Sequence, residues 1–302
     1  MIRQVTAGVD GSTESLAAAH WAAREALRRG ASLRLVHAWT WHPRPSASVP
    51  ADASEGDWAE RTLDQTVMSV RAAHPGLRIV DQLVSGSTVA ALLTVAEQSE
   101  LLVLGSRGLS GVAGFLVGSV SQRVVARSPR PVVLVRAGES AADEHLPAPD
   151  GVSPDEIPEI PYRNVVLGLD VRHPCDELIE FAFEAAHRYG SALRVIHAFS
   201  VPSADGADVR AITDIGPELL AAQERAVVAT LRPWAEKYPG VPVTETVSEG
   251  RAASTLVRAS SGAALVVVGR RTRDGHFGTH IGPVTHAALH HVGCPVAVVP
   301  HA

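Results

Sequence analysis

Lysine is nearly missing: Lys237, in WAEKYPG, is the one lysine among 302 residues. A phosphate-binding P-loop needs a lysine followed by serine or threonine, so that reading is excluded. The same scarcity argues against a phosphoacceptor receiver domain, in spite of Asp10 and Asp170 at the ends of apolar runs. A basic excess is missing too. The formal net charge is -5 and the isoelectric point about 6.3, whereas polyanion binders present a basic face, so no nucleic-acid partner is expected. No run reaches about 18 consecutive apolar residues, and MIRQVTAGVDGS lacks the apolar core of a signal peptide. The expectation is a soluble, cytoplasmic protein without a membrane partner. Cysteine is limited to Cys175 and Cys294, which suits a reducing compartment. Two small buried side chains are favoured over a disulfide between them.

What is present is a repeat. A chain of 302 residues suits two cores better than one. VTAGVDGSTESLAAAHWAAREALRRGASLRLVHAW aligns with VVLGLDVRHPCDELIEFAFEAAHRYGSALRVIHAF at a constant offset, pairing Gly8, Asp10, Gly30 and His37 with Gly168, Asp170, Gly190 and His197. Further on the offset grows by four and stays there, pairing Gly86 with Gly250, Leu92 with Leu256, Gly105 with Gly269, Gly118 with Gly282 and Pro131 with Pro295. One fold therefore occurs twice. Between the copies, ESAADEHLPAPDGVSPDEIPEIP holds seven acids, five prolines and no Lys or Arg, and reads as an extended, solvated linker. The expected division is a first domain at 1–138, a linker at 139–162 and a second domain at 163–302.

Within each copy short apolar runs alternate with helical segments. VTAGVD, SLRLVHAW, LRIVDQLV, LLVLG and PVVLVR are bounded by turn residues and read as strands. STESLAAAHWAAREALRRG reads as a helix capped by Ser12 or Thr13 and closed by Gly30, and in the second copy Pro174 suits a first helical turn. Alternation of this kind predicts an α/β fold, a parallel sheet with helices on both faces. Ligands of such sheets sit beyond the carboxyl ends of strands, where strand order reverses. Asp10, Ala38 and Gly105 all fall at such ends.

After the fourth run comes the glycine-rich GSRGLSGVAGFLVGSVSQ. Gly105 and Gly108 would let the main chain turn and approach a ligand with no Cβ in the way, and Gly118 and Ser119 open a helix whose first amides can bind an anion. A phosphate cradle is one reading; a loop that only turns a corner is the other. The dinucleotide pattern GxGxxG does not follow the first strand, where GVDGST stands. HIGP, His280 to Pro283, resembles the HIGH motif of nucleotidyltransferases, but it follows a fourth strand whereas that motif opens a first helix. The histidines His276 and His280, then His286, His290 and His291, have no Cys or carboxylate at matching spacing, so no metal is expected. His37 and His197, at equivalent strand ends, read as packing groups rather than catalysts.

The full pattern, GxxG, nine residues, then Gly and Ser after the fourth of five strands, with Asp ending the first, resembles the ATP-binding signature of the universal stress protein family. The resemblance covers the chain apart from the linker. It implies two tandem open five-stranded parallel sheets, Rossmann-like, with ATP, carried with Mg2+, as cofactor. It places Gly8, Val9 and Asp10 at the ribose or adenine edge and the backbone at Ala38 on adenine. Leu104, Gly105, Gly108, Gly118, Ser119 and Val120 would surround ribose and phosphates, and Arg107 would add a charge contact. The second copy departs at Thr272, in place of the second glycine, and at Pro283, in place of serine. A β-branched residue resists positive φ, and proline removes an amide and a hydroxyl. Asp170, Ala198, Val268, Gly269 and Gly282 remain as a doubtful second site, beside which Arg270, Arg271 and Arg273 could hold an anion by charge. One ATP per chain is expected. The family implies a nucleotide-dependent regulator in stress response or growth arrest that acts on an unknown protein partner; a slow ATPase or phosphotransferase is the alternative, and an enzyme is the less favoured class. The family's last strands pair at their edges, which predicts antiparallel pairing of 132–136 with 296–300 inside one chain, and association of chains as homo-oligomers.

Overall fold

The structure is a computed structural model, and it describes residues 3–39, 55–106, 118–147, 160–200, 209–272 and 281–302. In the first copy β1 (Gln4–Gly8), α1 (Thr13–Arg29), β2 (Ser32–Trp39), α2 (Glu55–Ala73), β3 (Ile79–Ser85), α3 (Thr88–Glu97), β4 (Leu101–Ser106), α4 (Ser119–Arg127) and β5 (Val132–Arg136) follow one another. A single turn of helix, α5 (Ala141–Glu144), stands between the copies. The second copy repeats the series as β6 (Val165–Gly168), α6 (Asp176–Tyr189), β7 (Leu193–Phe199), α7 (Val209–Lys237), β8 (Val243–Glu249), α8 (Ala252–Ala259), β9 (Leu265–Arg271), α9 (Pro283–His291) and β10 (Val296–His301).

The strands are apolar runs because both faces of the sheet are covered. Side chains alternate across the pleat, so Leu101 and Val103 of β4 join the cluster under α1, α2, α6 and α7, while Leu102 and Leu104 join the one under α3, α4, α8 and α9. Each fully buried Leu or Val contributes roughly 1.5–3 kcal/mol. All ten strands form one sheet in the order β3-β2-β1-β4-β5-β10-β9-β6-β7-β8. Every pairing is parallel except the central one, where Val132, Val133 and Leu134 of β5 lie antiparallel to Val298, Ala297 and Val296 of β10. The predicted edge pairing is thus present within the chain. It joins two five-stranded parallel sheets about a pseudo-twofold axis. Strand order reverses between β1 and β4, and again between β6 and β9.

The ends of α1 follow from its sequence. Ser12 is the cap: its Oγ accepts the Ser15 amide at 3.1 Å, and Gly30 closes the helix with φ 60° and ψ 34°, a left-handed conformation that glycine adopts without cost from a Cβ. The second copy differs at its start. The expectation that Pro174 sits in the first turn fails, because α6 begins only at Asp176, with Cys175 as cap and its Sγ accepting the Leu178 amide. Proline there ends the preceding turn instead. Both cysteines are free; Cys175 is buried and Cys294 half-buried.

The segment between the copies also corrects its expectation over the described residues. It is helical over Ala141–Glu144, and it is not solvated at Glu144 and His145, which are 0% and 3% exposed. The Glu144 carboxylate accepts from Arg24 Nε and Nη2 at 3.1 and 2.9 Å and from Arg28 Nη1 at 2.7 Å. Arg28 also meets Tyr162 and, across the copies, Tyr189 of α6, with its guanidinium 4.5 Å from that ring. Two arginines on one face of α1 need a buried counter-charge, and an acidic connector supplies it.

Candidate functional site

Each point of strand reversal opens onto a cavity at the carboxyl ends of the strands. In the first copy, Gly8, Val9 and Asp10 leave β1, Ala38 ends β2, Leu104 and Gly105 end β4, and Gly118, Ser119 and Val120 begin α4; all nine line one cavity of about 200 Å³. The structure therefore brings together every proposed first-copy residue that it describes. Arg107 and Gly108 lie outside the described residues. Ser12, read from the sequence only as a candidate cap, completes the wall together with residues not singled out there, among them Glu14 and Ser15 of α1 and Ser121 of α4.

Ser121 holds the arrangement together. Its hydroxyl donates to the Gly105 carbonyl at 2.9 Å, tying the start of α4 to the end of β4. The first intrahelical bond of α4 runs from the Gln122 amide to the Gly118 carbonyl, so the amides of Ser119, Val120 and Ser121 have no partner within the helix. Gly118 caps the helix with φ -55° and ψ 145°, angles open to any residue, and a Cβ there would meet nothing within 4 Å. Glycine at 118 keeps the cavity mouth empty; the backbone does not demand it. Gly105 has a second reason besides lining the cavity. A Cβ there would stand 2.7 Å from the Glu14 carbonyl carbon and 2.8 Å from the Ser15 nitrogen, so this glycine also admits the first turn of α1.

Asp10 closes the other side. Its Oδ1 accepts the Ser12 amide at 3.0 Å and the Ser12 hydroxyl at 2.5 Å, while the Asp10 amide donates to Ser15 Oγ at 3.2 Å. The carboxylate is thereby fixed at the mouth of the turn between β1 and α1. His37 stays out of the cavity lining. It is buried against Trp58, ring centroids 5.6 Å apart, and burial lowers its pKa despite the neighbouring Val9 carbonyl and Asp10. Its counterpart His197 lies 3.0 Å from the Leu169 carbonyl and 3.0 Å from Gln223 Oε1. Both pack as expected.

The second-copy cavity is larger, about 690 Å³ against about 200 Å³, and it gathers Asp170, Ala198, Val268, Gly269 and Gly282. The clamp is kept: Thr285 Oγ1 donates to the Gly269 carbonyl at 2.8 Å. The donors are fewer, because Pro283 is the first residue of α9. Around Asp170 the neutral Ser12 is replaced by Arg172, whose amide and guanidinium reach Oδ1, and His173 Nδ1 stands 3.1 Å from Oδ2. Burial raises the Asp170 carboxyl, but the His173 and Arg172 contacts outweigh it and hold it below the usual carboxylate range. Arg127, Ser128 and Pro129 reach this cavity from the first copy. Arg273, His276 and His280 lie outside the described residues, and the rings of His286 and His290 lie 4.3 Å apart on α9.

A family model described as the universal stress protein family matches residues 1–136 and again 161–300. The chain belongs to the universal stress protein family. It is the tandem form, with two family domains in one chain. A universal stress protein of Mycobacterium tuberculosis is 32% identical over 304 residues, covering 97% of this chain and 96% of the relative. One from Mycolicibacterium smegmatis is 29% identical over 306 residues, covering 98% and 96%. Among solved structures, a universal stress protein from Archaeoglobus fulgidus covers all of both chains with a TM-score of 0.64 at 18% identity, a likeness of fold. No helix among the described residues is long and apolar enough to cross a membrane.

Proposed function

We propose that the first copy binds ATP as its Mg2+ complex and that occupancy changes the surface offered to a protein partner, so that the chain acts as a nucleotide-dependent regulator in stress response or growth arrest. The observation that carries this reading is the start of α4. Three amides without a partner inside the helix, an empty position at Gly118 and the Ser121 clamp lie in the wall of the cavity that also holds Asp10. Such a helix start attracts phosphate through its amides and its dipole. Asp10 suits a ribose hydroxyl, and the backbone at Ala38 suits an adenine edge. Arg107 would add charge from the loop. Mg2+ would neutralise part of the triphosphate charge, which a cavity bearing the carboxylates of Asp10 and Glu14 requires. The proposed units are 1–138 and 163–302 with 139–162 joining them, in a cytoplasmic protein whose chains associate as homo-oligomers.

Calorimetric titration with Mg-ATP tests the cradle through Ser119→Pro. Proline is tolerated at the first helical position, so the helix stays while one donor leaves. A lost charge-assisted bond is worth roughly 1.5–3 kcal/mol, so affinity should fall by about tenfold to a hundredfold with an unchanged melting temperature. Equal affinity of variant and wild type would remove the cradle from the mechanism.

A further inference from the structure

α1 starts at the first cavity, and its last two turns meet the end of α6 in a buried charge cluster. Glu25 is the centre of it: Oε1 accepts from Arg29 Nε at 2.6 Å and lies 4.0 Å from Arg188 Nε, while Oε2 accepts from Arg28 Nε at 3.0 Å and from the Tyr189 hydroxyl at 3.3 Å. Arg28 directs its other donors to Glu144, Tyr162 and Tyr189. Arg29 and Arg188 are not satisfied in this way. Nη2 of Arg29, and Nε and Nη2 of Arg188, are buried with no hydrogen-bond partner among the described residues, and the Arg29 side chain is 8% exposed. A guanidinium nitrogen taken out of water with no acceptor costs free energy. The repeat explains the shortage. Arg188 is the counterpart of Arg28, but three residues before it stands Ala185, where Arg28 has Glu25. The donor that Arg28 gives to its carboxylate, Nε, is therefore one that Arg188 keeps unbonded. The charges agree with the donors. Among the described residues Arg24, Arg28, Arg29 and Arg188 meet three carboxylates, Glu25, Glu144 and Glu184, and Glu139, which also faces Arg24, has Arg136 beside it. One positive charge is left over. Glu184, 40% exposed, lies at the edge of the cluster, where solvent reaches Arg188.

We propose that a small inorganic monoanion, with chloride as the simplest, binds between Arg29 and Arg188 at the seam of the two copies, where a carboxylate at 185 would have stood. Guanidinium groups hold such an ion through charge-assisted hydrogen bonds. Phe181 of α6, with its ring 5.6 Å from the Arg29 guanidinium, keeps one side of the pair apolar, and ionic contacts are stronger where water is displaced. Arg29 belongs to the first copy and Arg188 to the second, so the ion ties the copies together, and the tie tightens as the ion's concentration rises. Neither cavity takes part, and the inference does not depend on the first-copy reading.

The test is thermal unfolding of the full chain at constant ionic strength, with sodium chloride exchanged for sodium gluconate, whose six-carbon chain does not fit between packed helices. Chloride should raise the melting temperature by about 2–4 °C once it stands about tenfold above its dissociation constant, because an ion that binds only the folded chain stabilises it. Arg188→Gln should remove that rise and keep the fold, since this side chain is 18% exposed and its closest ion pair is with the exposed edge at Glu184. The readout is the difference between the two salts within each variant, so the cost of the substitution itself cancels. Arg123→Gln, at an exposed arginine of α4, should keep the full rise. Equal chloride responses in wild type and Arg188→Gln, no response in either included, overturn the proposal. A response lost in Arg123→Gln as well marks general screening and overturns it too.

Discussion

In the first copy α1 starts at Thr13, directly behind Asp10; in the second, the residue in Thr13's place is His173, and α6 does not start until Asp176. Three helical positions have become a turn that lays Arg172 and His173 on Asp170. The strands beneath did not change: β1 pairs with β2 and β4 in the same parallel register as β6 with β7 and β9. The lesson is a division of constraint. Interior strands are fixed by burial on both faces, whereas the rim at their carboxyl ends answers only to solvent and ligand, so it can exchange amides for guanidiniums without disturbing the frame.

The two helices compare in the same way along their length. Arg24 and Glu25 of α1 have Glu184 and Ala185 as counterparts on α6, so the buried cluster, to which α6 lends Arg188 and Tyr189, has no symmetric twin around α6. Glu144→Ala leaves Arg24 and Arg28 without their buried carboxylate, and should cost about 3–5 kcal/mol in urea unfolding. Glu184→Ala removes a partner of Arg188 whose carboxylate side is 40% exposed, and should cost about 0–1 kcal/mol. Equal costs would erase the contrast between the helices.

A smaller effect separates the paired glycines at the ends of β4 and β9. Gly105→Ala drives a methyl into the backbone of α1, which cannot yield locally, and should cost about 1–3 kcal/mol. At Gly269 the nearest atom is Nε2 of His301, 2.8 Å away at the end of a side chain that can turn aside, and Gly269→Ala should stay within about 1 kcal/mol. Thermal unfolding of the two variants side by side is the measurement. Reversed order would mean that Gly105 does not hold α1 in place.

The least effect is confined to acid. Burial raises Glu25, but Arg29, Arg28 and Arg188 outweigh it, so its carboxyl lies below the ordinary value of 4.5. A lowered carboxyl contributes stability that is full above 4.5 and lost as pH falls through the folded value. Unfolding midpoints of wild type should therefore be level with respect to this group near neutrality and drop below pH about 4.5, and Glu25→Gln should make that drop shallower. A drop of the same steepness in the variant would place the acid sensitivity elsewhere.

Some of this was readable residue by residue. The offset pairing Gly8 with Gly168 and Gly105 with Gly269 announced two copies, and the positions of Asp10, Ala38 and Gly118 at element ends placed them beside one another. The reason for Gly105 was not readable, because its neighbour, the first turn of α1, is about ninety residues away in the chain. Arg127 gave no signal either: it sits at the end of an ordinary helix and enters the second cavity only through the pairing of β5 with β10.

The sequence by itself determined the periodicities, a helix start at Ser12 or Thr13 with its close at Gly30, the repeat and the loss of a donor at Pro283. Each of these is set by hydrogen bonding and burial within a few residues, where the chain's own geometry decides the outcome. Only the tertiary structure decided that the acidic connector is buried at Glu144 and His145, and that the second cavity is the larger and, over its described lining, the more cationic. Those depend on which distant surfaces meet, since a carboxylate such as Glu144 enters the interior only when opposite charges from another element are already there to receive it.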